Sequence, residues 1–477
     1  MSVQIYNTLT KKKDSLPEGN IKMYTCGVTV YDVCHIGHAR SLYIFDVIVR
    51  YLKYRGYKVK FVRNITDIDD KIINKAKELN LSAKEVAEKH TKGYYEDLKS
   101  LGIGKADFEP KATENIPDMI KHIQGLIKKG YAYVLDGDVY FSVRKFKDYG
   151  KLSGQNLEQM MSGARIEKDE RKQDPLDFAL WKKSKEGEPS WKSPWGEGRP
   201  GWHIECSVMS LKYLKTQTLD IHAGGLDLVF PHHENEIAQA EALTGKPFAK
   251  HWIHHGLLTI NGQKMAKSLG NFVTIQDALK DNLADVLKMF YLQSHYASPI
   301  DYSAKKIEEA KDQYVSFVRL NDKEALNKIG DLKISSQDKK EIDKYRFSFE
   351  EAMDNDFNTP EALKYLRQLK SYAFSYKANL AKFKYAIDVI TDLLNIFALS
   401  PDKADLQDIK LATKNGLREA IGEAFEDTKS IQKDVDERIK LKKEKKYGEA
   451  DKIREKLEKK GIILEDLKDG TTSWRWK

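Results

Sequence analysis

Residues 21–66 read IKMYTCGVTVYDVCHIGHARSLYIFDVIVRYLKYRGYKVKFVRNIT, and their pattern decides the fold. Residues 21–31 are β-rich, residues 39–54 carry apolar side chains at helical spacing, and Gly56 stops the helix before YKVKFVRNIT alternates as a strand. Strand, helix and strand in that order predict parallel pairing through a right-handed crossover. Such a unit brings the carboxyl ends of both strands to one edge, where α/β sheets bind ligands. The turn into the helix holds Cys34-His35-Ile36-Gly37-His38. A helix opening offers free backbone N–H groups and partial positive charge, and imidazoles there add to it as cationic donors for an anionic ligand.

Further along, helical stretches run to about residue 130 and a short strand, GDVYFSV, follows. The Gly-, Pro- and Trp-rich segment EGEPSWKSPWGEGRPGWHIEC then reads as the close of an insertion. The α/β pattern resumes with TLDIHAGGLDL, a helix beginning at Pro231, and the strand-like HWIHHGLLTI before Lys264-Met265-Ala266-Lys267-Ser268. From about residue 306 the chain reads as helical with a polar interruption near 400–410, and its last fifty residues turn Lys/Glu-rich. From Arg438 to Lys446 six of nine residues are basic.

With 477 residues, 41% hydrophobic and 10% aromatic, the chain has length for two to four domains and a sizeable core. No stretch of 18 apolar residues occurs and the start lacks an apolar signal core, so the expectation is a cytoplasmic protein with no membrane partner. A net charge of +9 permits a polyanionic partner without demanding one. Three cysteines, Cys26, Cys34 and Cys206, argue against a disulfide scaffold and for reduced thiols.

Two of those thiols suggest a metal. His232 and Glu236 stand four apart and share a helical face, with proline at the favourable first position of that helix. Cys26 ends the first strand, and Cys206 follows Trp202-His203-Ile204-Glu205. Two thiolates, an imidazole and a carboxylate make a Zn²⁺ shell. His233 and Glu234 are rival donors that spacing alone leaves open. Cys34, outside this set, reads as structural.

The two basic signatures, in this order on either side of an α/β pattern, resemble the nucleotide-activating motifs of class I aminoacyl-tRNA synthetases. Cys26 with CHIGH, NITDIDDKI, GRPGWHIECS, DIHAGGLDLVFPHHENEIAQ, KMAKSLGN and GTTSWR resemble the cysteinyl-tRNA synthetase family over nearly the whole chain. The resemblance implies a Rossmann-like α/β catalytic domain split by an insertion, then an α-helical bundle and a small C-terminal anticodon-binding domain. Its boundaries are the first catalytic half at 1–115, the insertion at 116–200 and the second half at 201–250. The KMAKS loop and stem-contact region follow at 251–305, the bundle at 306–405 and the anticodon domain at 406–477.

The implied reaction joins L-cysteine and ATP, carried with Mg²⁺, into cysteinyl-adenylate and then charges the 3′ end of tRNA(Cys), in a monomer. The resemblance places the zinc ligands on Cys26, Cys206, His232 and Glu236. It puts His35, Gly37, His38, Lys264 and Lys267 at the ATP, with His35, His38, Lys264 and Lys267 catalytic and Lys267 the stronger of the lysines. Thr66, Trp202, Asp227, His222 and His254 fall in the cysteine pocket, with Asp227 the ammonium partner by charge. Lys442, Tyr447, Asp451, Asp466 and Trp474 fall on the anticodon-reading surface. Two departures from the family pattern stand out: Ala266 replaces the loop's usual serine, and Lys442 stands where arginine is common, which removes bidentate base contact there.

Zinc makes chemical sense in such an enzyme. It favours thiolate, whereas a serine hydroxyl is a poor ligand at neutral pH. Discrimination of about 10⁴ needs roughly 5–6 kcal/mol, and the span between the signatures is short for a large editing insertion. Two rivals remain from the residues. A ligase joining cysteine to a small amino sugar would lack the basic tail, and a non-catalytic zinc RNA-binding protein would lack the histidines or lysines.

Overall fold

The computed structural model describes residues 2–158, 160, 171–318, 320, 332–377, 379–399, 430–466 and 472–476. The chain divides into two compact units, one of residues 1–311, 351–361 and 396–399, the other of 312–350, 362–395 and 400–477.

At the centre of the first unit lies a four-stranded sheet of β1 (Asn20–Thr25), β2 (Lys58–Arg63), β3 (Leu219–Gly225) and β4 (Ala249–His255). All three pairings are parallel, and the strands lie in the order β4-β3-β1-β2. Helix α1 (Ile36–Tyr54) carries the chain from β1 to β2, α2 (Trp202–Leu214) precedes β3, and α3 (Glu234–Thr244) joins β3 to β4. The chain thus leaves β1 toward one edge of the sheet and β3 toward the other. A crevice opens between the carboxyl ends of those two strands, the usual ligand position in such sheets. Every residue of β3 is buried, as expected for a strand covered on both faces, so the polar His222 is conspicuous in it.

Two expectations need correction and one is extended. The segment expected as an insertion contains a five-stranded antiparallel sheet that includes the expected strand at Asp138–Phe141, with strands in the spatial order Ala132–Leu135, Asp138–Phe141, Phe178–Lys183, Gly196–Pro200 and Trp191–Ser193. Its Gly/Pro/Trp-rich stretch forms a hairpin turning at Gly196 (φ +114°), and three-residue strands are too short to show alternation. HWIHHGLLTI is two strands: β4 ends at His255, and Leu258–Ile260 joins a separate small sheet beside Ile300–Tyr302. Gly256 makes the break, because a Cβ there would lie 2.3 Å from the Ser298 carbonyl oxygen. The division expected at residue 250 therefore falls inside β4. Finally, α3 begins at Glu234, and Pro231 lies in the wide turn Val229–His233 ahead of it, where Phe230 is extended (φ −139°, ψ 133°).

The second unit is helical, built from the helices Ser336–Asp354, Thr359–Ser375 and Leu380–Ile396 over most of their lengths, with Phe349, Leu366, Leu369, Phe383 and Ile390 buried. Its C-terminal part packs helical residues 430–443 and the helix Tyr447–Lys459 on the hairpin Ile462–Asp466/Thr472–Trp476 around Ile431, Val435, Leu457, Ile462 and Leu464. The polar interruption expected near 400–410 lies outside the described residues. No described helix is long and apolar enough to cross a membrane.

Candidate metal and nucleotide site

A cavity of about 480 Å³ opens at the crevice between β1 and β3, lined among others by Cys26, His35, Gly37, His38, Trp202, Asp227 and Lys264. His35 is the N-cap of α1. Its Nδ1 accepts from the backbone N–H groups of Gly37 (3.1 Å) and His38 (3.3 Å), while His38 Nδ1 accepts from His35 N–H (3.3 Å). This reciprocal arrangement satisfies donors that a helix start leaves open. It also puts each ring proton on Nε2. Burial pushes the His35 imidazole down to about 4 and His38 to about 3, so both are neutral at pH 7. The expectation of cationic histidines is corrected: they offer neutral Nε2–H donors. Gly37 is needed for local space, since a Cβ there would meet the His35 ring at 2.9 Å.

Beside the cavity, ligand atoms of Cys26, Cys206, His232 and Glu236 all lie within 4.8 Å of one another. His232 is held by His203 through Nδ1 (2.9 Å), which turns Nε2 toward Glu236 Oε1 (2.8 Å), yet Nε2 is buried without a hydrogen bond of good geometry. Burial opposes charge on both His232 and Cys206. The Glu236 carboxylate nevertheless raises His232 to about 10, and hydrogen bonds from Cys26 and His232 draw Cys206 down to about 6. Buried thiolate and imidazolium side by side are a donor set that a divalent cation stabilises by displacing protons. The residues present therefore fit zinc.

The same carboxylate faces a second donor set. Glu236 Oε2 lies 2.6 Å from His222 Nε2, Cys26 Sγ lies 3.2 Å from His233 Nε2, and these four ligand atoms also gather within 4.8 Å. Of the two rivals read from sequence, His233 thus stays in geometric reach. Glu234 does not: its carboxylate accepts the backbone N–H groups of Leu152 (3.2 Å) and Ser153 (2.9 Å). His254 stands behind His233, with Nε2 2.8 Å from His233 Nδ1.

Thr66 is buried rather than lining the cavity, donating to Glu205 Oε2 (2.7 Å) and accepting from Asn64 Nδ2 (3.2 Å). Trp202 stacks on His232 with ring centroids 4.1 Å apart, and Asp227 is exposed on the cavity wall. In the lysine loop, Asn271 braces both ends by accepting Ala266 N–H (2.9 Å) and donating to the Lys264 carbonyl (3.1 Å). Lys264 lines the cavity, whereas the Lys267 ammonium pairs with Asp32.

Comparison with known proteins decides the family. The model described as tRNA synthetases class I (C) catalytic domain matches residues 12–312, and the DALR domain model matches 348–399. A cysteine–tRNA ligase of Sulfurihydrogenibium sp. is 49% identical with 100% of both chains covered. One of Aquifex aeolicus is 46% identical over 100% of this chain and 99% of its own. The chain belongs to the cysteine–tRNA ligase family. Solved structures share the fold at low identity. Mycobacterium tuberculosis methionyl-tRNA synthetase with methionyl-adenylate matches at TM-score 0.60 and 14% identity, over 80% of this chain and 92% of that one. The Agrobacterium radiobacter K84 LeuRS–tRNA–LeuAMS complex matches at 0.60 and 12%, over 80% and 84%.

Against that family background, several supporting residues escaped the sequence reading. Asn64 accepts Gly27 N–H (2.8 Å) next to Cys26 and lies 3.7 Å from Cys206 Sγ, so one amide touches both thiol segments and Thr66. Arg40 donates to the carbonyls of Gly256 (2.7 Å), Leu257 (2.9 Å), Tyr296 (3.1 Å) and Ser298 (2.5 Å), tying α1 to the end of β4. Their signals were faint, an arginine on an apolar helix and an asparagine at a strand end. Cys34 is buried and its thiol is pushed up to about 12 by burial, matching a structural role.

In the second unit, Arg438 and Lys442 engage Asp466 at 2.8 Å each, holding its carboxyl well below the usual range. Trp474 donates Nε1–H to Gln432 (3.0 Å) and packs on the small core. Tyr447 and Asp451 are exposed four apart on one helix. Of the five expected anticodon residues, Asp466, Lys442 and Trp474 thus have internal partners.

Proposed function

We infer that this chain is a cysteine–tRNA ligase that activates L-cysteine with ATP and charges tRNA, with zinc held by Cys26, Cys206, His232 and Glu236. The observation that carries the reading is the placement of that donor set beside a cavity lined by Cys26 and by His35, His38 and Lys264 of the two basic signatures. Membership of the family supports the overall reaction. Bound there, zinc supplies preference for a thiolate over a hydroxyl, separating cysteine from serine.

In this reading Trp202 is a wall for the amino acid, braced by the ring of His232, and exposed Asp227 takes its ammonium. Thr66, His222 and His254 act from behind, holding Glu236 and its neighbours in place. The cysteine carboxylate attacks the ATP α-phosphorus, pyrophosphate leaves, and a terminal ribose hydroxyl of tRNA then displaces AMP from the acyl carbon. Neutral Nε2–H groups of His35 and His38 donate to phosphate oxygens without a proton changing hands. Lys264 answers the triphosphate charge, and Lys267 joins once its pairing with Asp32 opens. The sequence-derived domain boundaries, with β4 assigned whole to the catalytic sheet, and the anticodon role of Tyr447 and Asp451 belong to the same proposal.

Cysteine-dependent ATP–pyrophosphate exchange, with serine beside it and repeated after zinc removal, tests this. Exchange with cysteine alone that collapses on metal removal is expected. Full exchange by metal-free enzyme overturns the zinc role, and no exchange with cysteine overturns the activity.

A further inference from the structure

The neutral histidines leave a charge problem that points to an unassigned residue. The Lys and Arg side chains lining the cavity are Arg40, Arg63, Lys71 and Lys264. Arg40 is spent on main-chain carbonyls, and Arg63 pairs with Glu109 at 2.6 Å in a buried contact. Lys267 is held by Asp32. Lys71 and Lys264 are therefore the cavity's uncommitted cations among the described residues.

Lys71 stands in the first turn of the helix Asp70–Leu79, where the helix dipole disfavours a cation. Its ammonium makes no ion pair among the described residues, and the acids next to it in sequence point to other partners. Asp70 binds Lys182 (2.9 Å) and Arg199, Asp67 takes Thr113 Oγ1 (2.6 Å), and Asp69 caps the helix through Lys71 N–H (2.9 Å). The ammonium lies 5.4 Å from the centre of the Tyr31 ring, on the cavity wall, and its charge is felt at His38. A cation on the cavity wall with no ion-pair partner, beside a helix N-terminus, is arranged for a ligand's negative charge, while Asp227 on the same wall is left for the substrate ammonium.

We propose that Lys71 binds a phosphate group of the reacting ligands, acting with Lys264 as a source of positive charge in the cavity. This rests on the ligase reading above. The shared chemistry is a phosphate oxyanion, carried either by the ATP triphosphate or by the 3′-terminal phosphodiesters of tRNA. Lys71 is a direct contact in both cases.

The test uses full-length, zinc-loaded K71M and K71R, with K58M as an exposed-lysine control outside the cavity. Pyrophosphate exchange is measured against ATP and cysteine separately, together with single-turnover transfer to tRNA. Zinc content and thermal midpoint report on folding. A loss of about 10²-fold in exchange for K71M, with the KM for cysteine unchanged, assigns the contact to ATP. Unchanged exchange with a similar loss in transfer assigns it to tRNA. K71R should recover most of either loss. The proposal is overturned if K71M keeps both steps within twofold of wild type, or if K71R is as impaired as K71M. If wild type itself lacks cysteine-dependent exchange, the ligase reading fails instead.

Discussion

His35 and His38 stack with ring centroids 3.7 Å apart, each Nδ1 accepting a main-chain N–H at the opening of α1. The two rings therefore have separable duties, capping through Nδ1 and donation through Nε2. Asparagine is a good N-cap and can replace Nδ1 but does not reach the Nε2 position. H35N should keep stability within about 1 kcal/mol of wild type while pyrophosphate exchange falls by about 10²–10³. A thermal melt and an exchange assay decide it. Intact exchange in H35N would sink the donor role.

The two overlapping donor sets around Glu236 make opposite forecasts for metal binding. If the ligands are Cys26, Cys206, His232 and Glu236, C206S should weaken zinc by well over about 10²-fold. H233Q should then keep zinc near one per chain, because His233 contributes only from behind. Competition against a chelating dye reads both affinities. Retained zinc in C206S with loss in H233Q moves the metal to the set of Cys26, His222, His233 and Glu236.

What the sequence made legible follows from the range over which each signal acts. The β1-α1-β2 unit was readable because alternation and helical spacing are local, and CHIGH and KMAKS because they are contiguous. Cys26 and Cys206 could be paired only by assuming the sheet, since thiols so far apart carry no spacing pattern. The insertion's sheet was hidden because strands such as Trp191–Ser193 are too short for a period, and their Gly and Pro read as loop. The charge state of the histidines was not legible at all, because it depends on burial that only tertiary packing creates. Arg40 was missed for a related reason, because its partners are main-chain groups that any sequence supplies, and Asn64 because its partners Gly27, Thr66 and Cys206 meet only in the fold.

Arg40 shows what such a hidden residue does. Its guanidinium satisfies four carbonyls at the break after β4, where Gly256 crosses close to Ser298. Lysine keeps the charge but lacks the planar fork, so most of these bonds are lost and the Ser298 carbonyl loses its donor, although Leu257 and Tyr296 keep main-chain donors. R40K should cost about 2–3 kcal/mol, with the zinc content unchanged because the metal donors do not touch this loop. Urea unfolding and metal analysis check both halves. An unchanged urea midpoint would show that water replaces the guanidinium without loss.

His122 supplies a pH test away from the proposed chemistry. Burial pushes it down to about 4, and its Nε2 lies 3.2 Å from the Gln239 carbonyl oxygen, so it stays neutral in the folded protein. In the unfolded chain it titrates at its ordinary value near 6.5. Between pH 6.5 and 4 the unfolded state therefore binds the extra proton, and stability falls as pH falls through that window. From pH 8 to pH 5 this one group accounts for about 2 kcal/mol. H122Q keeps an N–H donor for Gln239 but cannot take up that proton, so its stability should decline by that much less over the same range. Urea midpoints at pH 8, 6 and 5 measure the difference. Equal pH slopes in the two proteins would mean that His122 takes up its proton in the folded state as readily as in the unfolded chain.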